Sequence, residues 1–215
     1  PPAAITGFSA ARVILQKDLG LQQWEVGVAA GALTLSIAVG ALVGGRLGDR
    51  FGRRPVFTAT MVLVVVAVVC LIAAPSFTVV TLGAVLLGFG TGADLPVSLA
   101  TIAEAATDRN RGRLLGLSNL LWIMGIVMNT VLASIVGDAG RPGAQVIFAH
   151  IGVVAALVLL GRLTIPESPA WTAARAERRA GIATVRADRA RVRDLLRAPY
   201  IVPFLALMAF YALTN

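Results

Sequence analysis

Asp94 is the residue of this sequence most in need of a chemical explanation. It stands in Gly88-Phe89-Gly90-Thr91-Gly92-Ala93-Asp94-Leu95-Pro96, deep inside an apolar run. An acid that far from water is costly to keep and is a functional candidate by default. Two chemistries suit it, carrying a proton or accepting hydrogen bonds from a polar solute; a structural acid paired with an arginine is the third reading. Pro96 removes the amide that would bond to the Gly92 carbonyl, so the helix can bend there. Another apolar run holds Asn119, Trp122 and Asn129. Trp122 and Asn129 fall on one helical face, with Asn119 about 60° from Trp122. Two amides and an indole could line a solute site or simply tie helices together. Arg12, in the first apolar run, either attracts an anionic solute or reaches back to the interface.

A second group of ionisable residues lies between apolar runs. Asp49, Arg50, Arg53 and Arg54 occur within Gly45-Arg46-Leu47-Gly48-Asp49-Arg50-Phe51-Gly52-Arg53-Arg54. Glu104 precedes Arg111-Gly112, and Glu167 sits in Pro166-Glu167-Ser168-Pro169-Ala170-Trp171. Acids and arginines at chain reversals can pair in one arrangement and part in another. No nucleotide loop, metal-ligand cluster or nucleophile–base pair appears, so neither an enzyme nor a cofactor is expected. Cys70 is the single cysteine, which rules out an intrachain disulfide.

The elements that must position these residues are membrane helices. Only 14% of residues are charged and 57% are hydrophobic, whereas soluble domains carry about 25% charged residues. Complete spans are expected at Val26–Gly45, Val56–Ala74, Phe77–Ala103, Leu114–Val136 and Val146–Ile165. Ala3–Leu15 reads as the tail of an earlier span and Pro199–Asn215 as the start of a later one. Arginines collect after alternate spans: Arg46 to Arg54, Arg109 to Arg113, and Arg162 to Arg197. The opposite connections hold only Lys17 and Arg141. The positive-inside rule puts the basic loops in the cytoplasm, and it accounts for the net charge of +8 without nucleic acid. In the segment from Pro166 to Ala198, Ile182, Val185, Val192, Leu195 and Leu196 recur at near-helical spacing, as in amphipathic helices lying on the membrane. Trp24 and Trp171 suit the aromatic belt.

The Gly45–Arg54 stretch closely resembles the loop between the second and third helices of the major facilitator superfamily. Glu104 with Arg111-Gly112, and the Pro166–Trp171 segment, resemble the sugar-porter and metabolite–proton symporter branches. The resemblance implies an all-α membrane protein: a six-helix N-terminal bundle over residues 1–165, a cytoplasmic linker over 166–198, and the start of helix seven over 199–215. The sequence then reads as a piece of a longer protein whose second half is a missing partner. The resemblance also implies an inner gate of Asp49, Arg50, Arg53, Arg54, Glu104, Arg111 and Glu167. Ala170 stands where relatives usually carry a basic residue.

The expected function is proton-coupled symport of a small polar organic solute, a sugar or an organic acid, by alternating access. Asp94 would couple the proton or solute, and Arg12, Asn119, Trp122 and Asn129 would line the solute site. The bilayer, the solute and protons are the expected partners, in a multi-pass arrangement suited to a bacterial plasma membrane. An efflux antiporter is the first alternative, although the Gly-Pro motif of drug–proton antiporters is absent from Leu114–Val136. A transport-inactive sensor or scaffold with the same fold is the second.

Overall fold

The computed structural model describes residues 2–107, 109–164 and 167–181, with 201–203, 205–206 and 209. The expected amphipathic stretch from 182 to 198 and most of the last apolar run lie outside the described residues. So do the side chains of Arg111 and Ala170. The chain divides into two compact units, Pro1–Trp171 and Thr172–Asn215.

Among the described residues the regular structure is helical. The long helices are α1 (Pro2–Leu19), α2 (Gln23–Phe51), α3 (Arg53–Ala73), α4 (Phe77–Ala105), α5 (Arg111–Val136) and α6 (Arg141–Leu163), followed by the short α7 (Pro169–Arg179). Five of them, α2 to α6, are long and apolar enough to cross a membrane, so the chain is a multi-pass membrane protein of the all-α class. Large apolar side chains point outward, among them Leu35 at 67% exposure and Ile135 at 74%. In water that surface would be a liability; in lipid it is the solvated face.

Helix ends differ from the apolar runs that announce them. At 29 residues each, α2 and α4 are about 44 Å long against a hydrocarbon core of about 30 Å. Their extra turns carry Arg46–Phe51 and Glu104 out of the apolar layer at one end of the bundle, called here the basic end. Backbone hydrogen bonding continues through these polar turns because it does not depend on side-chain hydropathy. Between the expected spans ending at Val136 and starting at Val146 the chain makes a 3-10 turn, Gly137–Ala139, with α6 already under way at Arg141.

Gly52 alone separates α2 from α3, at φ +108°. An L side chain rarely adopts that backbone, and a Cβ there would also meet the Glu167 carboxylate and the Trp171 ring. At the opposite end of the bundle, α6 satisfies the last carbonyls of α3. Arg141 Nη2 donates to Ala74 O at 2.9 Å and Gln145 Nε2 to Ile72 O at 3.2 Å.

The core joins α1, α3, α4 and α6 through Phe8, Leu71, Leu87, Ile147 and Phe148. Packing of α2 on α4 works differently. Gly40 and Gly44 of α2 face Phe89 and Ala93 of α4, while Gly88 and Gly92 of α4 face Leu33 and Ile37 of α2. A Cβ on Gly44 would lie 2.5 Å from Ala93 Cα, and one on Gly92 would lie 2.7 Å from Ile37 Cα. Two small-residue stripes thus bring the backbones together where lipid offers no hydrophobic drive. That contact fixes α4, and with it Asp94.

Candidate functional site

Charged residues gather at two levels of α4. The outer of these is at the basic end, where Arg53 opens α3. Its Nη1 lies 2.8 Å from Asp49 Oδ1 of α2, and its Nη2 lies 2.9 Å from Glu104 Oε1 of α4. Glu104 turns its second oxygen to Ser168, whose hydroxyl donates to it at 2.5 Å. Glu167 lies over the α2–α3 turn. Its carboxylate accepts the backbone N–H of Arg53 at 2.7 Å and that of Arg54 at 3.2 Å. These are first-turn amides of α3 with no partner inside the helix, so a distant carboxylate caps the helix and meets its positive dipole end. Trp171 closes the group: its Nε1–H donates to Asp49 O at 3.0 Å.

Four of the seven residues expected at the gate therefore converge: Asp49, Arg53, Glu104 and Glu167. Two enter differently. Arg54 takes part through its backbone amide and donates Nη2 to the Leu163 carbonyl at 2.8 Å. Arg50 is turned out, its guanidinium 5.2 Å from the centre of the Phe51 ring. The seventh, Arg111, has its side chain outside the described residues.

Trp171 needs correcting. It is not a belt residue; it is buried, at 9% exposure, and bonded to the end of α2. Ser168 was not singled out from sequence at all. A hydroxyl beside Glu167 in the matched segment was the available signal.

The deeper site is built on Asp94, which is 1% exposed. Arg162, from the last turn of α6, holds both carboxylate oxygens: Nη1 bonds to Oδ1, and Nη2 reaches Oδ2 at 3.2 Å. Nη2 also donates to Ser98 Oγ at 3.0 Å, and the guanidinium carbon sits 4.2 Å from the centre of the Phe57 ring. A two-pronged, charge-assisted pair with a cation–π contact joins α3, α4 and α6. Of the readings open to Asp94, an acid paired with an arginine is the one whose contacts are present here. Arg162 was counted in the sequence only as one more basic loop residue.

The four expected solute-lining residues do not form one surface. Asn129 is buried on Gly7 of α1 and donates Nδ2 to the Ala3 carbonyl; its Oδ1 is buried without a partner among the described residues. Trp122 is half-buried and Asn119 exposed, on α5. Arg12 is five residues on from Gly7, hence about 140° around α1 from the Asn129 contact. The structure assigns Asn129 to the α1–α5 contact and leaves Arg12 on another side of α1.

The chain matches the family model described as "Sugar (and other) transporter" over residues 7–195. It is 31% identical over 230 residues to the minor myo-inositol transporter IolF of Bacillus subtilis (strain 168), covering 99% of this chain and 51% of that protein. It is 28% identical over 162 residues to a D-xylose transporter of Levilactobacillus brevis, covering 75% of this chain and 35% of that one. Among solved structures, the proton:xylose symporter XylE bound to 6-bromo-6-deoxy-D-glucose superposes with a TM-score of 0.70 at 21% identity, over 84% of this chain and 47% of that one. Inward-open XylE from E. coli gives 0.66 at 20% identity, over 86% and 51%. At these identities the structural likeness is one of fold. The chain spans about half or less of the length of these relatives.

Proposed function

Because this chain belongs to the sugar (and other) transporter family and has the fold of a major facilitator N-terminal half, we propose that the whole protein is a proton-coupled symporter of a small polar organic solute. Alternating access is the mechanism, and the second half of the protein supplies the other wall of the pathway. The basic loops face the cytoplasm of a bacterial cell.

One observation carries the reading: Arg53 binds acids from two different helices while the Glu167 carboxylate caps its own helix. Such a cluster holds α2, α3 and α4 together at the basic end in one conformation. Pulling any one member away exposes charges that water can then take over, so the closed and open forms are both accessible. Asp49, Arg53, Glu104 and Glu167 are the proposed inner gate.

The Asp94–Arg162 pair is the proposed coupling element. A proton arriving on Asp94 cancels the charge that holds Arg162 and leaves a guanidinium unpaired in a desolvated place. Relief requires Arg162 to move toward water, and α6 with it. Proton binding is thereby tied to a helix rearrangement rather than to a local titration.

The test is uptake by the full-length protein in proteoliposomes, with an imposed pH gradient and a panel of sugars, polyols and sugar acids. Accumulation of a panel member only when the outside is acidic is the expected result. Gradient-independent equilibration would remove proton coupling, and expulsion against the gradient would favour the antiporter.

A further inference from the structure

We propose that one face of α1, formed by Ser9, Arg12 and Gln16, is a binding surface for a hydroxylated monocarboxylate, the chemistry of a sugar acid. The inference rests on the transport reading above and narrows its substrate class.

Arg12 differs from the other membrane-level cations of the described chain. Arg162 is paired with Asp94, and Arg141 lies 3.6 Å from Asp18. Arg12 makes no hydrogen bond or ion pair among the described residues, yet its Nε is fully shielded. Its side chain is therefore partly desolvated, and its charge has no counter-ion among the described residues.

Arg12 is not isolated in the helix. Ser9, Arg12 and Gln16 fall within about 60° of one another around α1. The packed face of α1, centred on Ala4, Gly7, Phe8, Ala11, Ile14 and Leu15, is elsewhere on the cylinder. Ser9 is exposed, and Arg12 and Gln16 are half-buried. Counting back from Leu19, Gln16 sits about 5 Å, Arg12 about 10 Å and Ser9 about 15 Å below the end of the helix. Charged side chains at membrane depth almost always turn to the bundle interior or a water-filled cavity, and the proposal takes the stripe through Arg12 to face a watered path in the same way.

The chemistry of the stripe selects the ligand. A guanidinium presents a planar fork of donors that matches a carboxylate. A hydroxyl and an amide, one turn to either side, reach the hydroxyls of a polyol chain. One positive charge balances one negative charge, which suits a monocarboxylate better than a phosphate ester carrying close to two. An ion pair with an acid of the second half would use Arg12 but would leave Ser9 and Gln16 without a purpose.

The test uses the full-length protein in proteoliposomes, with radiolabelled gluconate and myo-inositol as probes. Gluconate is expected to enter. R12Q should raise its KM about tenfold or more, the loss of a charge-assisted hydrogen bond, while leaving the KM for myo-inositol within about twofold of the parent. R12K keeps the charge without the fork and should fall between. Q16A, which leaves the charge in place, should also raise the gluconate KM and keeps the idea testable if R12Q does not fold. Entry of myo-inositol without gluconate would overturn the inference and leave the transport reading standing. Equal damage to both solutes by R12Q and by R12K would also overturn it, since Arg12 would then be tying the protein together. Entry of neither solute, nor of any other member of a sugar panel, would take down both readings.

Discussion

Asp94→Asn is the perturbation that bears most directly on the proposed coupling. Asparagine keeps the shape of the side chain and one carbonyl acceptor but removes the charge. Arg162 would then stand with a side chain only 16% exposed and no anion in reach. Removing one partner of a buried pair costs about 3–5 kcal/mol. Ser98 Oγ and the Phe57 ring still hold the guanidinium, which puts the expected loss near the lower end, about 3 kcal/mol. Arg162→Met strands the carboxylate instead, and at 1% exposure the penalty should reach the upper end, about 5 kcal/mol. The double variant removes both charges, so its loss should be well below the sum. A coupling energy of about 2 kcal/mol or more is expected.

Unfolding of the purified full-length protein in detergent, followed over denaturant, measures all three. Function supplies the second readout. Asp94→Asn should abolish pH-driven accumulation while preserving solute exchange between equal internal and external pools, because exchange needs no net proton movement. Additive stabilities would refute the pairing. Undiminished pH-driven uptake by Asp94→Asn would refute the coupling role, and equal loss of exchange and accumulation would reduce the pair to a structural tie.

Three further outcomes follow from the packing. Gly44→Val should lower unfolding stability by about 1–3 kcal/mol or more, since its Cβ meets the Ala93 backbone; Gly27→Ala, with nothing within 4 Å, should stay within about 0.5 kcal/mol. Trp171→Phe keeps the ring but deletes the donor to Asp49 O, and should cost about 1 kcal/mol in the same unfolding measurement, with Glu167→Gln similar through a weakened cap on α3. Reporter tags placed after Arg54 and after Ser76 should report opposite sides of the membrane; the same side for both would break the span order.

How much of this was legible in the sequence depends on the kind of information. Spans were legible because about 20 apolar residues in a row have few uses other than crossing a bilayer. Their true ends were not, since Arg53 and Arg111 begin helices that hydropathy starts at Val56 and Leu114. A helix continues while its backbone can bond, whatever the side chains are. The charged cluster at the basic end was legible through the Gly45–Arg54 pattern and the Pro166–Trp171 segment. Its bonding was not: that Glu167 would meet backbone amides, and Arg50 stack on Phe51, depends on how the single-residue turn at Gly52 aims the start of α3. Asp94 was visible as an anomaly, but its partner lies 68 residues away among other arginines, and no spacing rule connects them. Asn129 and Trp122 do share a helical face, as expected. Which neighbour that face meets is a tertiary fact.

The two charged sites of α4 are not independent, and the end of α6 is the reason. Arg162 reaches down to Asp94, while the carbonyl of the next residue, Leu163, accepts the guanidinium of Arg54. On α3, Arg53 joins the cluster at the basic end, and Phe57, one turn on, lies against Arg162. On α4, Glu104 and Asp94 belong to one helix, with Pro96 between them. A movement of the last turn of α6 that carries Arg162 away would also carry the carbonyl that holds Arg54, beside the amides that Glu167 caps. Contiguity alone does not establish coupling; the physical warrant is a shared two-state element that both sites bias. The last turn of α6 is the element proposed for that role. If it carries the signal, Asp94→Asn and Glu167→Gln should show an interaction energy of at least about 0.5 kcal/mol in a double-mutant cycle, although the two side chains do not touch. Strict additivity would mean that the gate and the buried pair answer to different movements, and the proposed link through α6 would have to be abandoned.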